Sequence, residues 1–205
     1  MFDVNMEYFR RIYRLVIGVH VTDPPDTITY ASVVLRETVK IALTLAALND
    51  FPVKVVDINN AYITAPVTEK IWTVLGLEDS GSKAILVCSL YGLNSSGAAF
   101  RDHLADSRHH LGFLTCPADL YLWMKPMVRP DDGINYYACV LIYVDDVILI
   151  RHDAESLLKR IDKYFKLKPS LIGDPGIYFG DKLKKMRLDN GVWAWANIPA
   201  RYFKE

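Results

Sequence analysis

Apolar positions along this chain alternate, run together or recur every three to four residues, and these patterns divide it into elements. "YRLVIGVHV" (Tyr13 to Val21) alternates and is β-rich, predicting a strand that ends at "TDPPD". From about Val34 to Asn49, Val39, Leu43 and Ala46 recur with Ile41, Leu45 and Leu48 beside them, predicting a mostly buried helix. "FPVKVVDIN" predicts a strand running into a turn at Asp57. "SSGAAFRDHLADSRHHLG" predicts a helix capped by Ser95 or Ser96, with Phe100, Leu104 and Leu111 on one stripe and Gly112 just past its end. A short strand near Leu120 to Met124 and a loop at "RPDDG" follow. "VLIYVDDVILI" (Val140 to Ile150) is two apolar strands around an Asp-Asp pair. Asp153 is placed to cap a helix with Leu157, Ile161, Tyr164 and Phe165 inward, and "KKMRLDNGVWAW" predicts a hairpin turning at Asn190-Gly191.

The order β-α-β-β-α-β is that of a split β-α-β sandwich: an α+β fold with helices on one face of an antiparallel sheet. Composition agrees with a soluble globular protein, since 51% of the 205 residues are hydrophobic and 23% charged. That length suits one domain, or one domain plus a small lobe. Lys+Arg and Asp+Glu are both 24, so any nucleic-acid surface has to be local. Arg10, Arg11 and Arg14, or Lys182, Lys184, Lys185 and Arg187, are the candidates. Three cysteines without a C-x-x-C pair argue against a disulfide framework and for a reducing intracellular setting. His103, His109, His110 and Cys116 fit no common zinc spacing and read better as a solvated helix face. No apolar run reaches the ~18 residues that span a bilayer. Asp3 and Glu7, with no apolar core after them, exclude a signal peptide.

The chemistry concentrates at Asp145 and Asp146. An Asp-Asp pair between strands can be a plain turn. Neighbouring side chains of a continuous strand point to opposite faces, so only a turn brings both carboxylates toward one point. There they repel unless a cation sits between them, and an oxygen-rich anionic site suits Mg²⁺. Asp57 also closes an apolar strand; with β-α-β-β order that strand can lie beside the Asp-Asp hairpin, bringing Asp57 opposite Asp145. Two ions ~3.5–4 Å apart would then serve phosphoryl or nucleotidyl transfer.

Four segments carry a family resemblance. "YVDD" (Tyr143 to Asp146) looks like the signature of reverse transcriptases, and "VVDINNAYITAPVTEKIW" (Val55 to Trp72) resembles their first palm motif, an Asp with an aromatic five residues on. "SLYGLNSSGAAFRDHLADSRHHLGF" resembles the "SLYGLKQ" segment of copia-type long-terminal-repeat retrotransposons, and "GDPGIYFGDKL" is similar to their "YFLGI" segment. The resemblance implies a polymerase palm with partial fingers: residues 1–52 as partial fingers, 53–205 mainly palm, with no thumb or RNase H domain. It implies an RNA-directed DNA polymerase that joins a deoxynucleotide to a primer 3′-hydroxyl with two Mg²⁺ ions, Mn²⁺ being an alternative. Asp57, Asp145 and Asp146 would be the catalytic and metal-binding carboxylates, helped by the Ile58 carbonyl. Tyr62, Ala61, Tyr143 and Arg14 would face the substrate, with Tyr62 excluding a ribose 2′-hydroxyl and Arg14 holding the triphosphate. Tyr178, Phe179 and Gly180 would grip the primer.

Implied partners are an RNA or DNA template with its primer, the deoxynucleotide, and the rest of a Pol polyprotein with integrase and RNase H. No membrane is implied, and family members work inside cytoplasmic virus-like particles. The chain departs from the family at Asn94, Ser95, Ser96 and Gly97, where Lys, Gln, a small residue and Pro are usual. Ile12 stands where the fingers usually carry a Lys. With the neutral charge and a start inside the fingers, these departures point to a polyprotein fragment. Its alternative reading is a degenerate, inactive remnant that keeps the palm fold. The remote alternative is an unrelated α+β binding module whose Asp-Asp pair is only a turn.

Overall fold

The computed structural model describes residues 2–5, 10–13, 16, 31–67, 69–74, 81–168, 175–178 and 180–199. In chain order the elements are β1 (Phe2–Asn5), β2 (Arg10–Tyr13), α1 (Arg36–Leu48), β3 (Val53–Asp57), α2 (Ala61–Thr64), β4 (Trp72–Val74) and β5 (Lys83–Ile85). There follow α3 (Ser96–Leu111), β6 (Leu114–Cys116), β7 (Asp119–Val128), β8 (Asn135–Tyr143), β9 (Asp146–Ile150), α4 (Ala154–Ile161), β10 (Ile177–Tyr178), β11 (Asp181–Arg187) and β12 (Trp193–Pro199). They form two compact units, one of residues 1–31 and 62–103, the other of residues 32–61 and 104–205.

The larger unit is built on a five-stranded antiparallel sheet in the order β3-β9-β8-β7-β6. Val53, Val55, Leu141, Ile148 and Ile150 pack on one of its faces with Val39, Leu43 and Ala46 of α1, and with Tyr178 and Leu183 from the separate β10-β11-β12 sheet. Val56, Val140, Ile142, Val147 and Leu149 alternate onto the other face and are equally buried. Burial of both faces is why these strands read as near-continuous apolar runs. Helix α4 buries Leu157, Leu158 and Ile161, and the end of α3 buries Leu104 and Leu111.

Local sequence explains where the helices stop and start. Asp153 accepts the Ser156 N–H at 3.1 Å and caps α4 as expected. Past α3, Gly112 takes φ 76°, which lets Phe113 N–H reach Arg108 O and Gly112 N–H reach His109 O. Helix α1 has no cap of its own at Leu35. Buried Asp119 caps it from β7, accepting Leu35 N–H at 2.9 Å and Tyr121 N–H at 3.0 Å. Contrary to the expectation of a mostly buried helix, α1 leaves Ile41, Leu45 and Leu48 exposed and buries Val39, Ala42, Leu43, Ala46 and Ala47. Ile41 and Leu45 border an apolar groove of about 440 Å³ between α1 and β7–β8, also lined by Phe51, Leu122 and Met124.

In the smaller unit, β1 pairs with β2 and β4 with β5, both antiparallel. Two of the residues that depart from the family pattern, Ser96 and Gly97, pack closely there, while Asn94 is exposed. Ser96 Oγ donates to Leu90 O at 2.6 Å, and a Cβ added to Gly97 would lie 3.2 Å from Ala31 Cβ. The predicted strand from Tyr13 to Val21 lies almost wholly outside the described residues.

Candidate active site

The carboxylates meet at one end of the five-stranded sheet. β3 ends on Asp57, β9 begins on Asp146, and the two residues face each other across the antiparallel ladder. Asp146 in turn faces Tyr143 of β8, so it sits between them. Directly opposed residues bring their Cβ atoms to about 5 Å. The expected partner of Asp57 was Asp145, and the register corrects this by one residue. The reason is the turn: Tyr143 and Asp146 close a two-residue loop made of Val144 and Asp145, so Asp145 lies at the tip instead of in the ladder.

That tip is tied down and strained. Ile58 N–H donates to the Asp145 carbonyl at 2.9 Å, fixing the loop to the end of β3. Val144 takes φ 55°, a region that β-branched side chains rarely adopt. Backbone outliers of this kind gather at active sites, where the surroundings hold them.

The electrostatics match the geometry. Burial first, then the neighbouring charges of Asp145 and Asp57, push the Asp146 carboxyl up to about 6, while Lys168 pulls the other way. Lys168 lies on Asp57 itself: its Nζ donates to Oδ2 at 2.8 Å and stands 2.7 Å from Oδ1. Beneath the tip, the Tyr178 ring meets Tyr143 edge-on at 6.3 Å and is fully buried. Burial, with Asp146 next, raises the Tyr178 hydroxyl well above its ordinary range.

Among the described residues, no three His, Cys, Asp or Glu side chains are gathered as a ready metal cage. The donor set nevertheless suits a hard divalent ion: oxygen ligands only, partly desolvated and mutually repelling. The fit is one of chemistry and charge, with an ammonium resting on Asp57.

The other expected residues divide. Ile58 and Ala61 are buried just beyond β3. Tyr62 belongs to the smaller unit, where its ring packs on Tyr91 at 4.8 Å and edge-on to Phe100 at 6.1 Å. Gly180 takes φ 76° in the exposed turn from β10 to β11. Arg14 and Phe179 lie outside the described residues. His109 and His110 are exposed on α3, with His110 stacked on Tyr164 at 6.0 Å. Lys168 was missed from sequence; its only signal is the alternation of Lys166 and Lys168 about buried Leu167 in "FKLK".

With this geometry in place, comparison with known proteins is decisive for the family. Residues 11–186 match the family described as reverse transcriptase (RNA-dependent DNA polymerase), and the chain belongs to that family. It is 25% identical over 140 residues to the retrovirus-related Pol polyprotein from transposon RE1 of Arabidopsis thaliana. It is 26% identical over 140 residues to the polyprotein from transposon RE2 of the same plant. Each match covers 65% of this chain and 9% of the relative, so the chain spans about a tenth of the polyproteins it resembles. The resemblance to reverse transcriptases of copia-type retrotransposons is thus borne out, and that family generally uses divalent metal ions.

Proposed function

We propose that the chain is the palm-bearing part of a retrotransposon polymerase that extends a primer on an RNA or DNA template. The observation that carries this is the placement of Asp57 opposite Asp146, with Asp145 at the tied, strained tip between β8 and β9. In this reading the unit holding the five-stranded sheet is the palm. Asp57 and Asp145 hold two divalent ions, Mg²⁺ or Mn²⁺, with the Ile58 carbonyl and Asp146 assisting. Bound there, such ions would activate the primer 3′-hydroxyl and neutralise the departing pyrophosphate. The protein's part is to hold its carboxylates at fixed strand ends and keep Asp146 partly desolvated, so that charge stabilisation needs little rearrangement. Arg14 serves the triphosphate, Tyr178, Phe179 and Gly180 the primer, and Ala61, Tyr143 and Tyr62 the nucleotide. With Tyr62 beneath the sugar, Tyr62→Ala should admit ribonucleotides; unchanged sugar discrimination in an active variant would remove that role. The working context is a Pol polyprotein with integrase and RNase H, inside a cytoplasmic virus-like particle.

The test is primer extension on poly(rA)/oligo(dT) with Mg²⁺, comparing the chain with Asp145→Asn. Extension lost in the variant supports the reading. A second reading, a remnant that keeps the fold without the activity, is favoured by Ile12 in place of the usual Lys and by the occupied Asp57. Failure of both proteins to extend would select it.

A further inference from the structure

The contact between Lys168 and Asp57 is built into the backbone. Lys168 N–H donates to the Asp57 carbonyl at 3.0 Å, and Asn59 N–H donates to the Lys166 carbonyl at 2.8 Å. Between these two bonds, Ile58 and Leu167 pair antiparallel, and both are buried. A main-chain clamp therefore delivers the lysine to the end of β3 from 111 residues away in sequence. Its ammonium stands within 2.8 Å of both oxygens of a carboxylate that is only 14% exposed. The lysine side chain itself is 37% exposed, so the flexible stem can carry the charge into solvent while the clamp stays closed.

We propose that Lys168 is the resident counter-cation of Asp57, a positioning residue that neutralises this carboxylate until a divalent cation displaces it. The inference rests on the metal-binding reading above and deepens it. An ammonium on both oxygens competes with a divalent ion for their lone pairs, and at contact distance the two cations repel in a partly buried site. Occupancy by Lys168 thus sets how much divalent ion the site needs. It also keeps the strand ends together in the ion-free protein, where three carboxylates would otherwise repel.

The test is a Mn²⁺ titration of the metal-stripped 205-residue chain, followed by electron paramagnetic resonance, on wild type, Lys168→Met and Lys168→Arg. Lys168→Met should tighten the Kd for Mn²⁺ about five- to tenfold, less than the full repulsion at contact distance because the wild-type ammonium can swing into solvent. Lys168→Arg, which keeps the charge, should leave the Kd close to wild type. Asp57→Asn should weaken binding. An unchanged or weaker Kd in Lys168→Met, with Asp57→Asn still weakened, overturns the role of Lys168 alone. Absence of Mn²⁺ binding in both wild type and Lys168→Met overturns the metal-binding reading and this inference with it. Should Lys168→Met fail to fold, reductive methylation of wild type decides. Mg²⁺ should raise modification of Lys168 several-fold relative to exposed Lys163, whereas equal labelling with and without Mg²⁺ overturns the proposal.

Discussion

The β8–β9 and β11–β12 hairpins both reverse an antiparallel ribbon within a few residues, yet only the second uses residues that such a reversal favours. Between Leu188 and Val192, Gly191 N–H donates to Leu188 O at 2.8 Å and Gly191 takes φ 82°. The Asn190 side chain accepts Val192 N–H at 3.0 Å. This is a three-residue loop with glycine in the left-handed position, and local preference agrees with global geometry. Between Tyr143 and Asp146 the positive φ falls on Val144, a poor choice, and a second acid is placed where Asp146 already feels Asp57. Sequences that fold well keep such conflicts few, and those that persist concentrate at functional sites. The contrast is what a working tip and a merely structural turn should show.

The largest expected difference between the tips is in activity. Asp145→Asn should lower primer extension by about 10²–10³-fold, the usual loss when one charge-stabilising group is removed from a preorganised site. Asn190→Ala at the other tip should leave extension unchanged, because its hydrogen bond is confined to the turn. Equal losses at both tips would make the effect one of folding.

The second difference is in pH dependence. With its folded-state pKa near 6, Asp146 lies above the ~3.9 of an unfolded aspartate, so the folded chain binds this proton more tightly. Stability from this group is therefore full below about pH 4, falls as the pH rises toward 6, and stays low above that. Asp146→Asn should stabilise the ion-free protein at pH 7.5 by roughly 1–3 kcal/mol and flatten the profile between pH 4 and 6. Urea melts in EDTA at pH 4, 5, 6 and 7.5 measure this. Exposed Asp189, in the other turn, should change stability by less than about 0.5 kcal/mol when made Asn. A profile that keeps its slope in Asp146→Asn would place the charge conflict elsewhere.

Much of this contrast was legible in the sequence, because turns and caps are local. Asp153, Gly112 and the Asn190-Gly191 hairpin announce themselves through residue types at fixed offsets. So do Asp57, a charge closing an apolar run, and Asp145 and Asp146, charges interrupting one. Register was harder: a shift of one residue depends on which two residues form the loop, and "YVDD" allows either choice until the ladder is seen. The strand expected near Leu120 to Met124 continues to Val128 through Pro126, a residue that usually ends a strand. It does so because β6 pairs with β7 only as far as Leu114–Met124, so among the described residues no ladder on that side needs the N–H that Pro126 lacks. Least legible were Lys168 on Asp57 and Asp119 over the start of α1, which join positions 111 and 84 residues apart. No local pattern encodes such pairs.

The third difference between the tips is backbone strain. A non-glycine residue held at positive φ costs about 1–3 kcal/mol, and a new glycine gives back roughly 0.5–1 kcal/mol through the freer unfolded chain. Val144→Gly should therefore stabilise the chain by about 1 kcal/mol, the more so because Val144 is 37% exposed and gives up little packing. The tip should also become less well positioned, so primer extension should fall while the denaturation midpoint rises. A variant that is both more stable and fully active would mean that the strain has no functional part.

An effect of similar size and opposite sign belongs to Gly191. A Cβ there would stand 3.6 Å from the Arg187 side chain, an ordinary contact, so nothing need move to admit it. Only the backbone angle resists, and Gly191→Ala should destabilise the chain by about 1 kcal/mol with primer extension intact. Denaturant melts of Val144→Gly and Gly191→Ala, run side by side, read the two signs in one experiment. Opposite signs mean that the β11–β12 turn is optimised for the fold and the β8–β9 tip is not. A destabilised Val144→Gly would instead mean that Val144 is held by packing, and the strained tip would lose its place in the case for a catalytic site.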